Sequence, residues 1–251
     1  MIQSLLDLHG TIAPALSQLF IVVLRVGGLM LLLPGLSDRM IPSRIRLVTT
    51  FALSVAVAPS IAVPLTIGGE LIIIETSIGL ALGAVLRFLV SALTMAGMMA
   101  AQLTSLAQLF GSTEPSSAMG NLLNLAGLAL LMASGLPLMI VDLLIRSYDV
   151  LPLGLPPPGR DMVEWGVSRA AEAFALAFAL AAPFALAALI YNAAMGVINR
   201  AMPQLMVALV GAPAITWASA VLLLLAAPLI LSVWKTAMIA ALADPLGGGL
   251  P

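Results

Sequence analysis

An all-α integral membrane protein is the fold class that this chain predicts, and three observations predict it. Of its 251 residues, 62% are hydrophobic and only 8% charged, against about 25% charged in an ordinary soluble domain. A water-soluble fold needs polar residues for its exterior, so this composition belongs in a bilayer or an equally apolar assembly. The charges are also spaced to leave apolar stretches of about the 20 residues that a membrane helix needs. Finally, those stretches are rich in Leu, Ala and Met, show no two-residue alternation and exceed the length of barrel strands. Helices, which satisfy their own backbone in lipid, are therefore the expected elements. A soluble enzyme and a disordered chain are both excluded.

Six hydrophobic segments follow in order. The first covers about 12–33 and contains Arg25. Ahead of it, Met1–Asp7 has no basic n-region and carries an acid, which argues against a cleavable leader and for a retained membrane helix. The second covers about 47–67. The third, 71–110, would be roughly 60 Å long if wholly helical, twice the bilayer core of about 30 Å. It must either protrude or break, and the softer stretch Gly97–Ser105 suits a bend. The fourth covers about 122–145, the fifth 173–198 and the sixth 206–233. Polar connections separate them at 34–46, 111–121, 146–172 and 199–204, with a Gly-rich tail from Asp244. The first connection holds Arg39, Arg44 and Arg46 against Asp38, which favours the cytoplasmic side. Six spans then put both termini outside.

Charge and chemistry narrow the function. The formal net charge of −1 gives no basic footprint for nucleic acid. There is no Cys and a single His, His9, so disulfides, thiolate chemistry and a multi-His metal site are ruled out. No glycine-rich nucleotide loop, Walker lysine or nucleophile–base set is present, so neither an enzyme nor a bound cofactor is expected. Arg25, Glu75, Arg87 and Asp142 lie within or at the edges of apolar runs, as does Lys235. An Arg at a helix centre costs about 2.5–3.5 kcal/mol on insertion scales, which roughly ten good apolar residues offset. Such charges either line an ion path or pair across helices. The acids sit near segment ends, which favours pairing.

Small residues are dense, and Gly79-Leu-Ala-Leu-Gly83 forms a face that lets helix backbones approach closely. Met95, Met98 and Met99, among fourteen Met, read first as core and second as a pliable sealing surface. Pro59, Pro137, Pro183, Pro213 and Pro228 fall inside segments and predict kinked or broken helices.

Several stretches together resemble the FliR family of flagellar export-apparatus proteins and their injectisome counterparts. The most specific is Gly196-Val-Ile-Asn-Arg-Ala-Met-Pro-Gln-Leu205, followed by Val210-Gly211-Ala-Pro213. Leu36–Arg46 is similar to the family's first loop, Leu151-Pro152-Leu153-Gly154 to a short motif in its long polar loop, and Gln108–Ser116 to a loop with an acid–Pro pair. The resemblance covers nearly the whole chain in order.

It implies a FliP-like part followed by a FliQ-like C-terminal hairpin, embedded in a hetero-oligomeric helical assembly that forms a protein export gate in the bacterial inner membrane at the flagellar basal body. The implied partners are FliP-like and FliQ-like subunits, FlhB-like and FlhA-like export components, unfolded proteins in transit and lipid. Part of the subunit would then sit above the membrane plane, so not every segment need be a span. By resemblance, the loop at Phe110, Gly111, Ser112, Thr113, Glu114 and Pro115, with Met119 beyond it, helps close the channel; Glu114-Pro115 stands where the family often has Asp-Pro. Read from its residues alone, this loop is an ordinary connection. Asn199, Arg200, Pro203 and Gln204 read as a structural turn, with Arg200 available to a partner. The competing functions are an injectisome gate subunit, a secondary transporter working alone, and an assembly factor absent from the finished complex.

Overall fold

The computed structural model describes residues 2–35, 41–61, 68–104, 115–201 and 207–245. Within them the chain forms seven α-helices and one 3₁₀ turn, and no strand. The helices are α1 (Ile2–Leu32), α2 (Ser43–Val57), α3 (Gly69–Thr104), α4 (Pro115–Ala133), α5 (Leu136–Val150), α6 (Gly159–Ala201) and α7 (Val207–Ala243). By length and apolarity α1, α3, α6 and α7 can cross a membrane, and the broken pair α4–α5 makes a fifth span if counted as one. The protein is therefore an all-α membrane protein, with four or five candidate spans among the described residues instead of six. Both termini lie on one side only if the number of spans is even.

The second segment departs most from its expected form. α2 is only fifteen residues long, and the 3₁₀ turn Ala58–Ser60, with Pro59 as its middle residue, ends it. The side chain of Gln18 on α1 donates to the carbonyls of Ala58 and Ile61, holding this turn against the first helix. The third segment keeps its length: α3 runs unbroken for 36 residues, through the stretch where a bend was expected, up to Thr104. That is about 54 Å, well beyond a bilayer core.

The fourth segment is two helices. Gly135 adopts φ +87° between them, a left-handed conformation that favours glycine. Pro137 then sits in the first turn of α5, where its missing N–H costs nothing. The polar connection 146–172 is mostly helical: α5 continues to Val150, and α6 begins just after Pro158. Asp161 lies in the first turn of α6, and Arg160 pairs with Glu164 one turn on at 2.9 Å. Polar composition there marks a water-facing helix surface, not a loop. Pro14, Pro183, Pro213 and Pro228 all lie within continuous helices. Helical hydroxyls such as Ser54, Thr76 and Ser219 bond the carbonyl four residues back, so they carry no unmet polar group into an apolar setting.

The chain divides into two compact units that interleave in sequence. Unit 1 takes residues 1–88, 135–170 and 239–251, and unit 2 takes 89–134 and 171–238. The divisions fall inside α3, α6 and α7. In unit 1, Val22, Val26 and Leu29 of α1, Ile78 and Leu82 of α3 and Leu144 of α5 are all nearly solvent-free. Glycines set the α1–α3 spacing. A Cβ on Gly79 would lie 2.1 Å from the Arg25 backbone oxygen, one on Gly28 2.6 Å from the Thr76 oxygen, and one on Gly83 2.7 Å from the Leu29 oxygen. The small-residue face at 79–83 is thus where the two backbones meet.

In unit 2, Ala92 of α3 and Ala173 and Ala177 of α6 form a small-residue core, with Met95 and Met99 packed against it as core side chains. Trp234 of α7 is fully buried, and its indole N–H donates to the Leu89 carbonyl at 2.7 Å.

Two glycine substitutions should separate steric from conformational demand. Gly79→Ala meets backbone and should destabilise toward the upper end of the ~1–3 kcal/mol range for overpacking. Gly135→Ala meets nothing within 4 Å and should cost about 1 kcal/mol for its left-handed φ alone. Thermal unfolding midpoints of the two variants in detergent test this ranking, and an equal or reversed order would contradict it.

Candidate functional site

The residues singled out by charge come together in unit 1. Arg25 lies mid-way along the apolar part of α1, and Glu75 lies one helical turn before Gly79 on α3. Because Gly79 lets α3 touch the α1 backbone, Glu75 reaches the guanidinium directly. Arg25 Nε donates to Glu75 Oε2 at 2.7 Å and Nη2 to Oε1 at 3.2 Å, a two-pronged contact between side chains that are both 0% exposed.

Two further N–H groups of Arg25 are satisfied from α5 and the chain just after it. Arg25 Nη1 donates to Ser147 Oγ at 3.0 Å, and Nη2 to the Leu151 carbonyl at 3.0 Å. The Ser147 hydroxyl in turn donates a hydrogen bond to the Leu144 carbonyl at 2.7 Å. The Tyr148 ring stacks on the guanidinium with Cζ 3.6 Å from its centroid. Glu75 gains a further donor, the Gly154 N–H at 3.3 Å, and Gly154 has φ +76°. The Leu151–Gly154 motif therefore has a physical role. Its first residue offers a carbonyl to the cation, and its last offers an N–H to the anion. The left-handed glycine turns the chain so that both face inward.

This arrangement is a clasp, not a reaction centre. The two charges match each other, and solvent reaches neither side chain. A buried pair is strongly destabilising to break, since one partner's removal strands the other's charge. Its effect is to lock α1, α3, α5 and the 151–154 turn in one register.

The other two intramembrane charges do not join it. Arg87 is exposed on α3, and Asp142 is exposed on α5, paired with Arg146 at 3.0 Å across one turn. Of the expected closing loop, Phe110, Gly111, Ser112, Thr113 and Glu114 lie outside the described residues. Pro115 opens α4, and Met119 is buried at 1% exposure within unit 2. The two flanks of that segment are nevertheless defined. A Cβ on Gly97 of α3 would lie 2.6 Å from the Gly120 Cα of α4, and one on Gly120 2.8 Å from the Thr94 carbonyl oxygen. The helices entering and leaving 105–114 thus cross in backbone contact. Of the expected turn, Asn199 and Arg200 are exposed in the last residues of α6, while Pro203 and Gln204 lie outside the described residues.

Sequence reasoning did not find Ser147, Tyr148 or the two backbone groups of the 151–154 turn. The available signal was the placement of a Ser–Tyr pair and a Gly turn after an apolar helix, which composition alone does not connect to Arg25.

Comparison with known proteins now bears on the site. The family model described as bacterial export proteins, family 1, matches residues 16–241. The chain is 33% identical over 205 residues to the flagellar biosynthetic protein FliR of Caulobacter vibrioides, covering 77% of this chain and 81% of that one. It is 32% identical over 225 residues to the FliR of Aquifex aeolicus, covering 86% and 87%. With the FliR of Escherichia coli K12 it shares 27% over 209 residues, 79% of each.

The clasp yields a double-substitution test. Glu75→Gln alone should destabilise by about 3–5 kcal/mol because it leaves the Arg25 charge unmatched. Arg25→Met with Glu75→Leu should cost less, retaining only the stranded partners Ser147, Leu151 and Gly154. Detergent-titration unfolding of the three proteins measures this, and a double variant worse than Glu75→Gln would contradict the matched-charge account.

Proposed function

The chain belongs to the bacterial export proteins, family 1, and from that membership we propose that it is a wall-forming subunit of the flagellar type III protein export gate, with no catalysis of its own. The observation that carries this reading is the extent of the match: it runs from residue 16 to 241, through both units, and the similar proteins are flagellar biosynthetic proteins over most of their own length.

The structure supports a subunit completed by neighbours. The apolar stretch of α7 is only 17% buried within the chain, and that of α6 33%. α3, α6 and α7 exceed a bilayer's thickness. Such helices suit an assembly in which other chains, and not lipid alone, cover apolar faces. In this reading the neighbours are FliP-like and FliQ-like membrane subunits, with FlhA-like and FlhB-like components behind them, in the bacterial inner membrane at the basal body. Unfolded flagellar proteins are the cargo. The segment from Phe110 to Glu114, held between helices that cross at Gly97 and Gly120, helps close the passage, with Pro115 and Met119 at its far flank. Asn199 and Arg200, exposed at the end of α6, and Pro203 and Gln204 beyond it mark the connection to α7, with Arg200 available to a partner.

Three measurements test this. Purification of the tagged chain in mild detergent should bring down FliP-like and FliQ-like chains, and its deletion should abolish swimming and flagellin export. A chain that purifies alone and transports a solute by itself would overturn the reading. Removal of 110–114 should raise small-dye leakage across membranes carrying the assembled gate; unchanged leakage with the assembly intact would remove the closing role.

A further inference from the structure

The one Lys of the chain is not used by the clasp or by any expected loop. Lys235 lies on α7, half-buried, at the edge of a groove of about 780 Å³ between α4 and α7 in unit 2. The groove's lining is otherwise apolar or small, including Leu122, Leu130, Leu223, Leu224 and Ala227. Its single hydroxyl, Ser232, already donates to the Leu229 carbonyl at 2.8 Å. Lys235 makes no ion pair among the described residues. An ammonium beside so much apolar surface needs an anion, and that anion must carry an apolar body to fill the groove.

The position along α7 selects among anions. The exposed Trp217 lies eighteen residues before Lys235, an axial distance of about 27 Å, close to the bilayer core of about 30 Å. A Trp and a Lys at that separation fit the two membrane interfaces, where indoles settle and where lysines extend toward the headgroups. A carboxylate on a facing protein helix would itself have to be brought into an apolar setting. A lipid phosphate already resides at that depth.

We propose that this groove is a binding site for an anionic phospholipid, with an acyl chain along α4 and α7 and the headgroup phosphate on the Lys235 ammonium. The site is independent of the export reading, because it depends only on α7 crossing the membrane.

The test reconstitutes the chain, with whatever subunits accompany it, into bilayers mixing phosphatidylglycerol and phosphatidylcholine. Lipid retained after detergent extraction is then quantified by mass spectrometry. The wild type and Lys235→Arg should retain phosphatidylglycerol selectively, and Lys235→Gln should reduce that selectivity about fivefold, the effect of one basic residue at a lipid surface. Ala227→Phe, which fills the groove and leaves the charge, should reduce retention of both lipids. Equal retention of the two lipids by the wild type, or selectivity unchanged in Lys235→Gln, would overturn the proposal. So would a photo-crosslinker at Leu224 that captures only a protein chain, since the groove would then belong to a partner helix. Retained selectivity in Lys235→Arg separates loss of charge from loss of fold. Export can fail while lipid selectivity persists, and the reverse, so the two readings are judged separately.

Discussion

A guanidinium that no solvent reaches governs how the first unit is built. Arg25 sits in the middle of an apolar helix, where its charge is tolerable only if every prong finds a partner. Glu75 supplies the opposite charge, but two backbone groups and a serine are needed to finish the set. Those groups come from elements more than a hundred residues away in sequence. The constraint therefore reaches far beyond the pair. It requires glycine at the α1–α3 crossing so that the carboxylate can come close, a serine in the last turn of α5, and a left-handed residue three positions after Leu151. Apolar packing alone would let these helices slide against one another, because leucine faces are interchangeable. A matched set of directional bonds has only one register.

Unit 2 is held differently. Its contacts are small-residue crossings and one buried indole, with Gly97 on Gly120, Ala92 against Ala173 and Ala177, and Trp234 bonded to the Leu89 carbonyl. In an apolar environment there is little hydrophobic drive between helices, so close backbone approach and van der Waals contact supply the association. The outward faces of α6 and α7 stay apolar, with Phe174, Phe178, Leu224 and Leu225 among the exposed residues. That pattern agrees with a subunit whose surroundings are other subunits and lipid, and with family membership among export proteins.

Much of this was legible in the residues. Composition alone set the helical membrane class, and isolated charges in apolar runs pointed to pairing across helices, which Arg25 and Glu75 fulfil. The spacing of Gly79 and Gly83 marked the closest crossing. Other features were hidden for physical reasons. The stretch 159–172 is an exposed part of α6, and polar residues on an exposed helix surface look in sequence like those of a loop. The break at Gly135 needed a left-handed glycine followed by a proline in a helix's first turn, a signal masked by uniformly apolar neighbours. Asp142 has its partner, Arg146, one turn away on the same helix, so no second helix is needed to match its charge. The roles of the Leu151 carbonyl and the Gly154 N–H belong to the backbone, which every residue shares and no composition reveals.

The interleaving of the two units has a consequence for biogenesis. Unit 1 begins with α1 yet draws on residues 239–245, and the Trp165 indole N–H donates to the Pro245 carbonyl at 3.2 Å. During synthesis, then, α1 emerges some two hundred residues ahead of the end of α7, without which its own unit is not whole. The order in which the ribosome delivers the helices thus becomes a constraint on the sequence alongside the final packing.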